Sequence, residues 1–201
     1  MQHTQFNARL VNEINELNQS FVDLMLRAYH AGTFPLDSVL ANALDRSERV
    51  LPACPFLLFR PIARLDQVSG SLVLTTTDDV GQGLVMATLT LLRQLARDDL
   101  PTVRLLTGAP ASWAQSLADL SARDLVHLAP RLDLKPRLVD VAGFWQDLVR
   151  AREVSELQRA SLGATGLQLV LSRRHRFVPL DGATSIPAYH TAVQDKPTDR
   201  R

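Results

Sequence analysis

Apolar residues recur at alternating intervals of four and three along the first predicted helix, residues 6–31, and form a narrow seam: Leu10, Ile14, Leu17, Phe21, Leu24 and Ala28. This spacing places them on one face of an α-helix, and Gly32 with Pro35 marks its end. A seam of this kind is typical of packing against another helix. Its neighbour lies within the chain, in a second copy or in a different protein. The candidate partner interface consists of Leu10, Ile14, Leu17, Phe21 and Leu24.

The rest of the pattern predicts more helices and a few extended pieces. Helical spacing recurs in residues 36–51, 80–97, 141–150 and 153–173, while β-branched or apolar runs suggest extended segments at 56–59, 72–77 and 132–138. The first two extended runs could pair as a small hairpin, with Pro61 limiting the first. Gly163 and Gly166 would permit close approach of the last helix to a neighbour. The predicted fold is mainly α, a multi-helix bundle with one or two short extended segments.

Two short helices joined by a tight turn are predicted in residues 107–129, TGAPASWAQSLADLSARDLVHLA. Ser121 and Asp124 form a Ser-x-x-Asp capping box at the start of the second helix. This helix-turn-helix-like corner belongs either to a DNA-binding unit or to the core.

Composition and net charge exclude few classes of function. The chain has 201 residues, of which 46% are hydrophobic, and 22 basic against 21 acidic residues give a net charge of +1. Such a chain can bury a core but has no general attraction for phosphate. The N-terminus lacks the pattern of a signal peptide and no run is long enough to span a membrane, so we expect a cytoplasmic protein.

Catalytic chemistry has no sequence support. The five histidines lack metal-ligand spacing, and Gly81-Gln-Gly83 lacks the third glycine of a dinucleotide site and the lysine of a phosphate loop. Cys54, between prolines and apolar residues, is expected to be a buried, unreactive thiol. We therefore expect no enzyme, no metal and no cofactor.

Positive charge is concentrated at two places. Arg173, Arg174, His175 and Arg176 follow one another at the end of the last predicted helix, where they either complement the helix dipole or contact phosphate. Arg123 and Arg131 flank the second corner helix. If the corner binds DNA, Arg123 is the best candidate for a base contact, and Arg131, Arg173, Arg174 and Arg176 are candidates for phosphates.

Residues 84–174 resemble FlhD, the flagellar transcriptional regulator subunit, in the order of their features. The leucine-rich MATLTLLRQLARDDL precedes the short-helix pair, a brief extended piece and the closing helix VSELQRASLGATGLQLVLSRR, and INELNQSFVDLMLRA resembles the family's first helix. The resemblance implies a helical homo-oligomer that acts at promoter DNA with an FlhC-like, zinc-containing partner. The chain is nearly twice as long as a typical FlhD.

The resemblance and the pattern together suggest three regions. Residues 1–77 form an N-terminal helical region with the possible hairpin, 78–178 an FlhD-like helical domain, and 179–201 a disordered tail. Residues 42–60 repeat the order of features in 120–138, which fits either a degenerate tandem or chance similarity between leucine-rich helices. Two functions remain open: a subunit of a bacterial transcriptional regulator, or a helical adaptor or chaperone-like module that does not bind DNA.

Overall fold

The computed structural model describes residues 8–46, 54–64, 72–138, 143–151 and 155–172. These residues form eight α-helices and a small two-stranded sheet, so the prediction of a mainly α fold is confirmed. In chain order the elements are α1 (Ala8–His30), α2 (Ser38–Arg46), β1 (Phe59–Ala63), α3 (Asp79–Asp98), α4 (Leu100–Thr107), α5 (Ala111–Asp119), α6 (Ala122–Leu128), β2 (Leu132–Pro136), α7 (Phe144–Arg150) and α8 (Glu156–Ser172). The predicted tail, residues 179–201, lies outside the described part of the chain.

The seam of α1 packs inside its own chain. Ile14 and Phe21 are fully buried, Leu24 is 6% exposed, and the ring of Phe21 stacks on that of Phe59 with centroids 4.6 Å apart. The assignment of these three side chains to a partner interface was therefore wrong, because the chain's own core covers them. Leu10 and Leu17 are only partly buried against that core, and their assignment to an interface stays a prediction.

Helix α3 occupies the centre of the fold and contacts α1, α4, α5 and α6. Asp78 caps its start, because its side chain accepts a hydrogen bond from the backbone N–H of Gly81 at 2.9 Å. The negative charge also complements the positive end of the helix, as the sequence predicted. Because α3 is covered on several sides, it fixes the positions of the short helices that follow it.

The sheet pairs segments that are distant in sequence, and the predicted hairpin does not form. Strand β1 runs antiparallel to β2, and Leu74 forms an isolated bridge with Leu134 on the other edge of β2. Pro61 lies inside β1, opposite Leu134, although the sequence predicts that the extended segment ends before this proline. The backbone of Leu134 exchanges both of its hydrogen bonds with Leu74 (2.7 and 3.0 Å), so the pair with Pro61 is a non-hydrogen-bonded one. The missing N–H of proline costs nothing at such a position.

Residues from both sides of the predicted boundary at 77 and 78 share one hydrophobic core. Strand β1 comes from the first region and β2 from the second, and α1 packs on α3. The boundary therefore lies inside a common core rather than between two separate ones.

Helix α8 approaches the core through its glycines, as the sequence suggested. A Cβ atom built on Gly166 would lie 2.6 Å from Cζ of Phe56, and one built on Gly163 would lie 3.2 Å from Cδ of Pro55. A larger side chain at position 166 would therefore collide with an aromatic ring that is itself buried.

Candidate nucleic-acid interface

The predicted helix corner is present, and its turn is tightly specified. Helix α5 ends at Asp119 and α6 begins at Ala122. The N–H of Ser121 donates to Oδ2 of Asp124 at 2.8 Å, and the N–H of Asp124 donates to Oγ of Ser121 at 3.2 Å. The predicted capping box is thus confirmed, and it satisfies two backbone donors that the start of a short helix would otherwise leave exposed.

Two arginines of α3 donate hydrogen bonds to the backbone at the end of α5. Nε of Arg97 donates to the carbonyl of Ala118 at 2.8 Å, and its Nη2 donates to the carbonyl of Leu120 at 3.2 Å. Nε of Arg93 also donates to Leu120. The end of α5 carries unpaired carbonyls and partial negative charge, so guanidinium donors at this point satisfy both. The turn between α5 and α6 is therefore anchored to the central helix.

The inner faces of the two corner helices are apolar and buried. The residues that fill the interior here are Trp113, Ala114, Leu117 and Ala118 on α5, and Leu125 and Leu128 on α6. This leaves α6 with one inward and one outward face. The corner is thus part of the core on one side and part of the surface on the other.

Basic side chains follow one another along the outward face of α6 and into the turn after it. Arg123 and His127 lie on α6, and Arg131 ends the short 3₁₀ turn Ala129–Arg131; the three follow at intervals of four, and all are exposed. Residues four apart share one face of a helix, so Arg123 and His127 lie side by side. We call these three residues the basic line.

The acidic group beside the line is already engaged. Hydrogen bonds from the side chain and backbone of Ser121 lower the pKa of Asp124, and the nearby charges of His127 and Arg123 lower it further. The ionised carboxylate thus serves as the cap of α6. An acid at this position would repel DNA, and its engagement with the positive end of α6 reduces that repulsion.

The other predicted DNA contacts, Arg173, Arg174 and Arg176, lie outside the described residues. The structure therefore brings together Arg123 and Arg131, with His127 between them, and leaves the third group as a prediction.

Three arginines have structural roles that the sequence analysis above does not predict. Arg93 and Arg97 had a visible signal, because two cations four residues apart share a face of α3. Arg137 had a weaker one, as a cation between Pro136 and Leu138 directly after the end of β2. Its side chain donates from Nη1 to the carbonyl of Leu106 at 3.0 Å and from Nη2 to the carbonyl of Thr107. It thereby caps the buried end of α4.

Arg137 and Cys54 occupy the same buried region. Burial lowers the pKa of Arg137 to about 9, assisted by the charge of Arg60, so its guanidinium remains charged at neutral pH. Burial raises the pKa of Cys54 to about 12, against smaller opposing effects from a backbone hydrogen bond of Phe56 and the charge of Arg137. The thiol is 2% exposed and stays protonated at neutral pH, which confirms the expected burial of this cysteine.

Comparisons with known proteins yield no relative. No protein-family model matches the chain, and no curated protein or solved structure matches it either.

Among the described residues, no three His, Cys, Asp or Glu side chains are grouped so that they could hold a metal ion. None of the described helices has the length and apolar character needed to cross a membrane.

Proposed function

We propose that this chain is a subunit of a bacterial transcriptional regulator of the FlhD type, which acts in the cytoplasm with a partner protein at promoter DNA. The observation that carries the proposal is the basic line, which begins on the exposed face of α6 and ends in the turn after it. It lies on the trailing helix of a two-helix corner, the element that enters the major groove in helix-turn-helix proteins.

The contact would be made by side chains. The capping box engages the N–H groups of Ser121 and Asp124, so these two offer little to a phosphate. Arg123 lies at the front end of α6, where a helix-turn-helix protein reads base edges, and Arg131 lies one turn beyond its end, in reach of a phosphate. The anchoring of the turn by Arg93 and Arg97 would keep this geometry rigid.

Affinity of the chain alone should be low. A net charge of +1 gives little long-range attraction, and a single arginine at a phosphate, Arg131, predicts a slope of log affinity against log salt of about −1. A more basic protein, such as an FlhC-like partner, would have to supply the remaining phosphate contacts. The same reasoning predicts that binding is strongest at low ionic strength.

The test is a titration of labelled promoter DNA followed by fluorescence anisotropy, with and without a co-encoded basic protein. Arg123→Ala should weaken binding and relax the sequence preference, whereas Arg131→Ala should weaken binding to all sequences and reduce the salt slope by about 1. Arg150→Ala is the matched control, because Arg150 is also exposed but lies on α7, which packs on α2 and α8. Absence of DNA binding in every condition, or equal losses in all three variants, would reject the proposal.

A helical adaptor without DNA binding is the alternative, and exposed apolar side chains favour it. Val39 on α2 is 65% exposed and Leu157 on α8 is 81% exposed, and neither lies on the corner. Single exposed apolar residues are common, but they are also where protein partners bind. Tight binding to a protein partner with no DNA binding at low salt would support this function instead.

A further inference from the structure

A groove lies between α1 and α3 on the surface of the bundle. Its volume is about 510 Å³, within the range of protein sites that hold a ligand. It is lined by positions 13, 16, 17 and 20 of α1 and by positions 87, 90, 91 and 94 of α3. Both sets follow the spacing i, i+3, i+4, i+7, so each helix presents one face to the groove. The groove thus has two helical walls, each about two turns long.

Apolar side chains at the centre of the groove are open to a further neighbour. Leu17 and Leu91 occupy the same place in the two patterns, and each is only partly buried. Ala87, one turn before Leu91, is exposed and leaves room beside it. A groove between two helices with apolar side chains at its centre is typically filled by a third, amphipathic helix, whose apolar residues recur at spacings of three and four.

Charge on one wall specifies the occupant further. Glu13 and Glu16 lie on the α1 wall, and the described residues that line the groove include no arginine, lysine or histidine. Glu16 has no ion-pair partner among the described residues, and Glu13 pairs with Arg9 at 2.9 Å on the exposed surface of α1. Exposed pairs of this kind contribute little, so both carboxylates are available to cations of a partner.

Two further clefts lack this asymmetry of charge. The cleft between α1 and α2 is lined by Asp23 but also by Arg27, and the cleft beside α5 is lined by Asp119 but also by Arg97. Opposite charges within one cleft compensate each other, so these clefts specify no net charge on a ligand.

We propose that the groove between α1 and α3 binds a basic amphipathic helix of a partner protein. The apolar residues of that helix pack on Leu17 and Leu91, and its lysine or arginine side chains lie beside Glu13 and Glu16. The wall is about 10 Å long, so about two turns of the partner helix fit along it. This site uses neither the basic line nor DNA, and it goes beyond the proposed function.

The length of the groove sets the expected strength. Recognition of a helix in a groove relies on a few apolar anchors rather than on a large area. An isolated peptide that covers about two turns should therefore bind with a dissociation constant of roughly 10–100 μM, as in transient complexes. Its affinity should fall as salt screens the carboxylates.

Selection from a displayed library of random peptides, with the full-length protein as bait, tests the occupant. Peptides of about 16 residues form about four turns and can span the groove. The enriched peptides should be rich in lysine and arginine and should carry apolar residues at spacings of three and four. Enrichment of acidic or neutral peptides, or no enrichment at all, would overturn the proposal.

Substitutions on both walls test the location, with an enriched peptide as the probe in fluorescence anisotropy. Ala87→Arg fills the groove and adds a repelling cation, so the peptide should bind more than about tenfold more weakly. Glu16→Lys reverses one charge and should weaken binding by about fivefold at low salt. Both positions are exposed, so circular dichroism should show an unchanged fold.

Ala164→Arg and Glu156→Lys are the matched controls, because they make the same changes at exposed positions on α8. Both controls should bind the peptide like the wild type. Unchanged binding in the two groove variants, or equal losses in the groove variants and the controls, would show that the peptide binds elsewhere and would contradict the proposal.

Sedimentation equilibrium distinguishes a partner protein from a second copy of this chain. If the groove holds a partner, Ala87→Arg and Glu16→Lys should leave the state of association of the isolated chain unchanged. Self-association of the wild type that both substitutions abolish would place a second copy in the groove and overturn the proposal. None of these measurements involves DNA, so their outcome is independent of the proposed function.

Discussion

Helices α1 and α8 both carry apolar side chains at heptad spacing, but they direct them to opposite places. The seam of α1 packs into the core, where Phe21 stacks on Phe59. Leu157, Ala164 and Leu171 on α8 are exposed, and the glycines on the other side of that helix make the contact with the core. Spacing alone assigned the partner interface to α1, and the structure shows that periodicity identifies a shared face without identifying what covers it.

Polar residues beside the seam account for the difference. Nδ2 of Asn18 donates to the carbonyl of Phe56 at 3.0 Å, and its Oδ1 accepts from the N–H of Leu58 at 2.8 Å. Oδ1 of Asn15 accepts from the N–H of Cys54 at 3.0 Å. These amides bind the irregular backbone that leads into β1, so the face of α1 is matched to a segment of its own chain. Leu157 and Leu171 on α8 are instead exposed.

Truncation of the α1 seam should have the largest effect on stability. Phe21→Ala removes a fully buried ring from its stack with Phe59, and we expect a loss of about 3–5 kcal/mol in the free energy of unfolding. Urea denaturation followed by circular dichroism measures this. A loss below about 1 kcal/mol would mean that the seam is not part of the core and that Phe21 is available to a partner protein.

Removal of the Asn18 amide should have the next largest effect. Asn18→Ala leaves the carbonyl of Phe56 and the N–H of Leu58 buried without this partner, at a cost of about 1–3 kcal/mol for each group. Asn42→Ala is a suitable control, because Asn42 is an exposed helical asparagine on α2. Equal stabilities of the two variants would show that the amide does not explain why α1 faces inward.

A smaller effect is expected on the inward face of α8. Gly166→Ala places a Cβ atom 2.6 Å from the ring of Phe56 and 2.9 Å from that of Phe144. The gain in helix propensity, about 1 kcal/mol, offsets part of an overpacking cost of about 1–3 kcal/mol, so thermal unfolding should show a net loss of stability. Gln168→Ala on the outward face is the control and should be nearly neutral. A stabilised Gly166→Ala variant would indicate that α8 packs loosely.

The sequence predicted the local features of this molecule better than the distant ones. The helix boundaries near Gly32, the Asp78 cap and the Ser121–Asp124 box depend on neighbouring residues, and each was present in the pattern. The pairing of β1 with β2 depends on contacts between distant segments. Pro61 predicts the end of a strand, but its partner Leu134 makes both backbone hydrogen bonds with Leu74, so β1 continues through the proline.

The candidate interface shows the same division. The exposure of Arg123 follows from the local capping box and the apolar positions of α6. The anchoring of the turn by Arg97 depends on how α3 lies under α5, and the burial of Arg137 depends on where α4 ends. Whether an arginine is an exposed cation or a buried donor to carbonyls depends on tertiary contacts, and the spacing of apolar residues does not predict these contacts.

Truncation on the outward face of α8 should have the smallest effect on the isolated chain and thereby sharpen the comparison with α1. Leu157→Ala removes a side chain that is 81% exposed, so the monomer should lose at most about 0.5 kcal/mol. Urea denaturation followed by circular dichroism measures this. A loss above about 1 kcal/mol would mean that Leu157 supports the fold itself, and the contrast between an inward α1 and an outward α8 would then disappear.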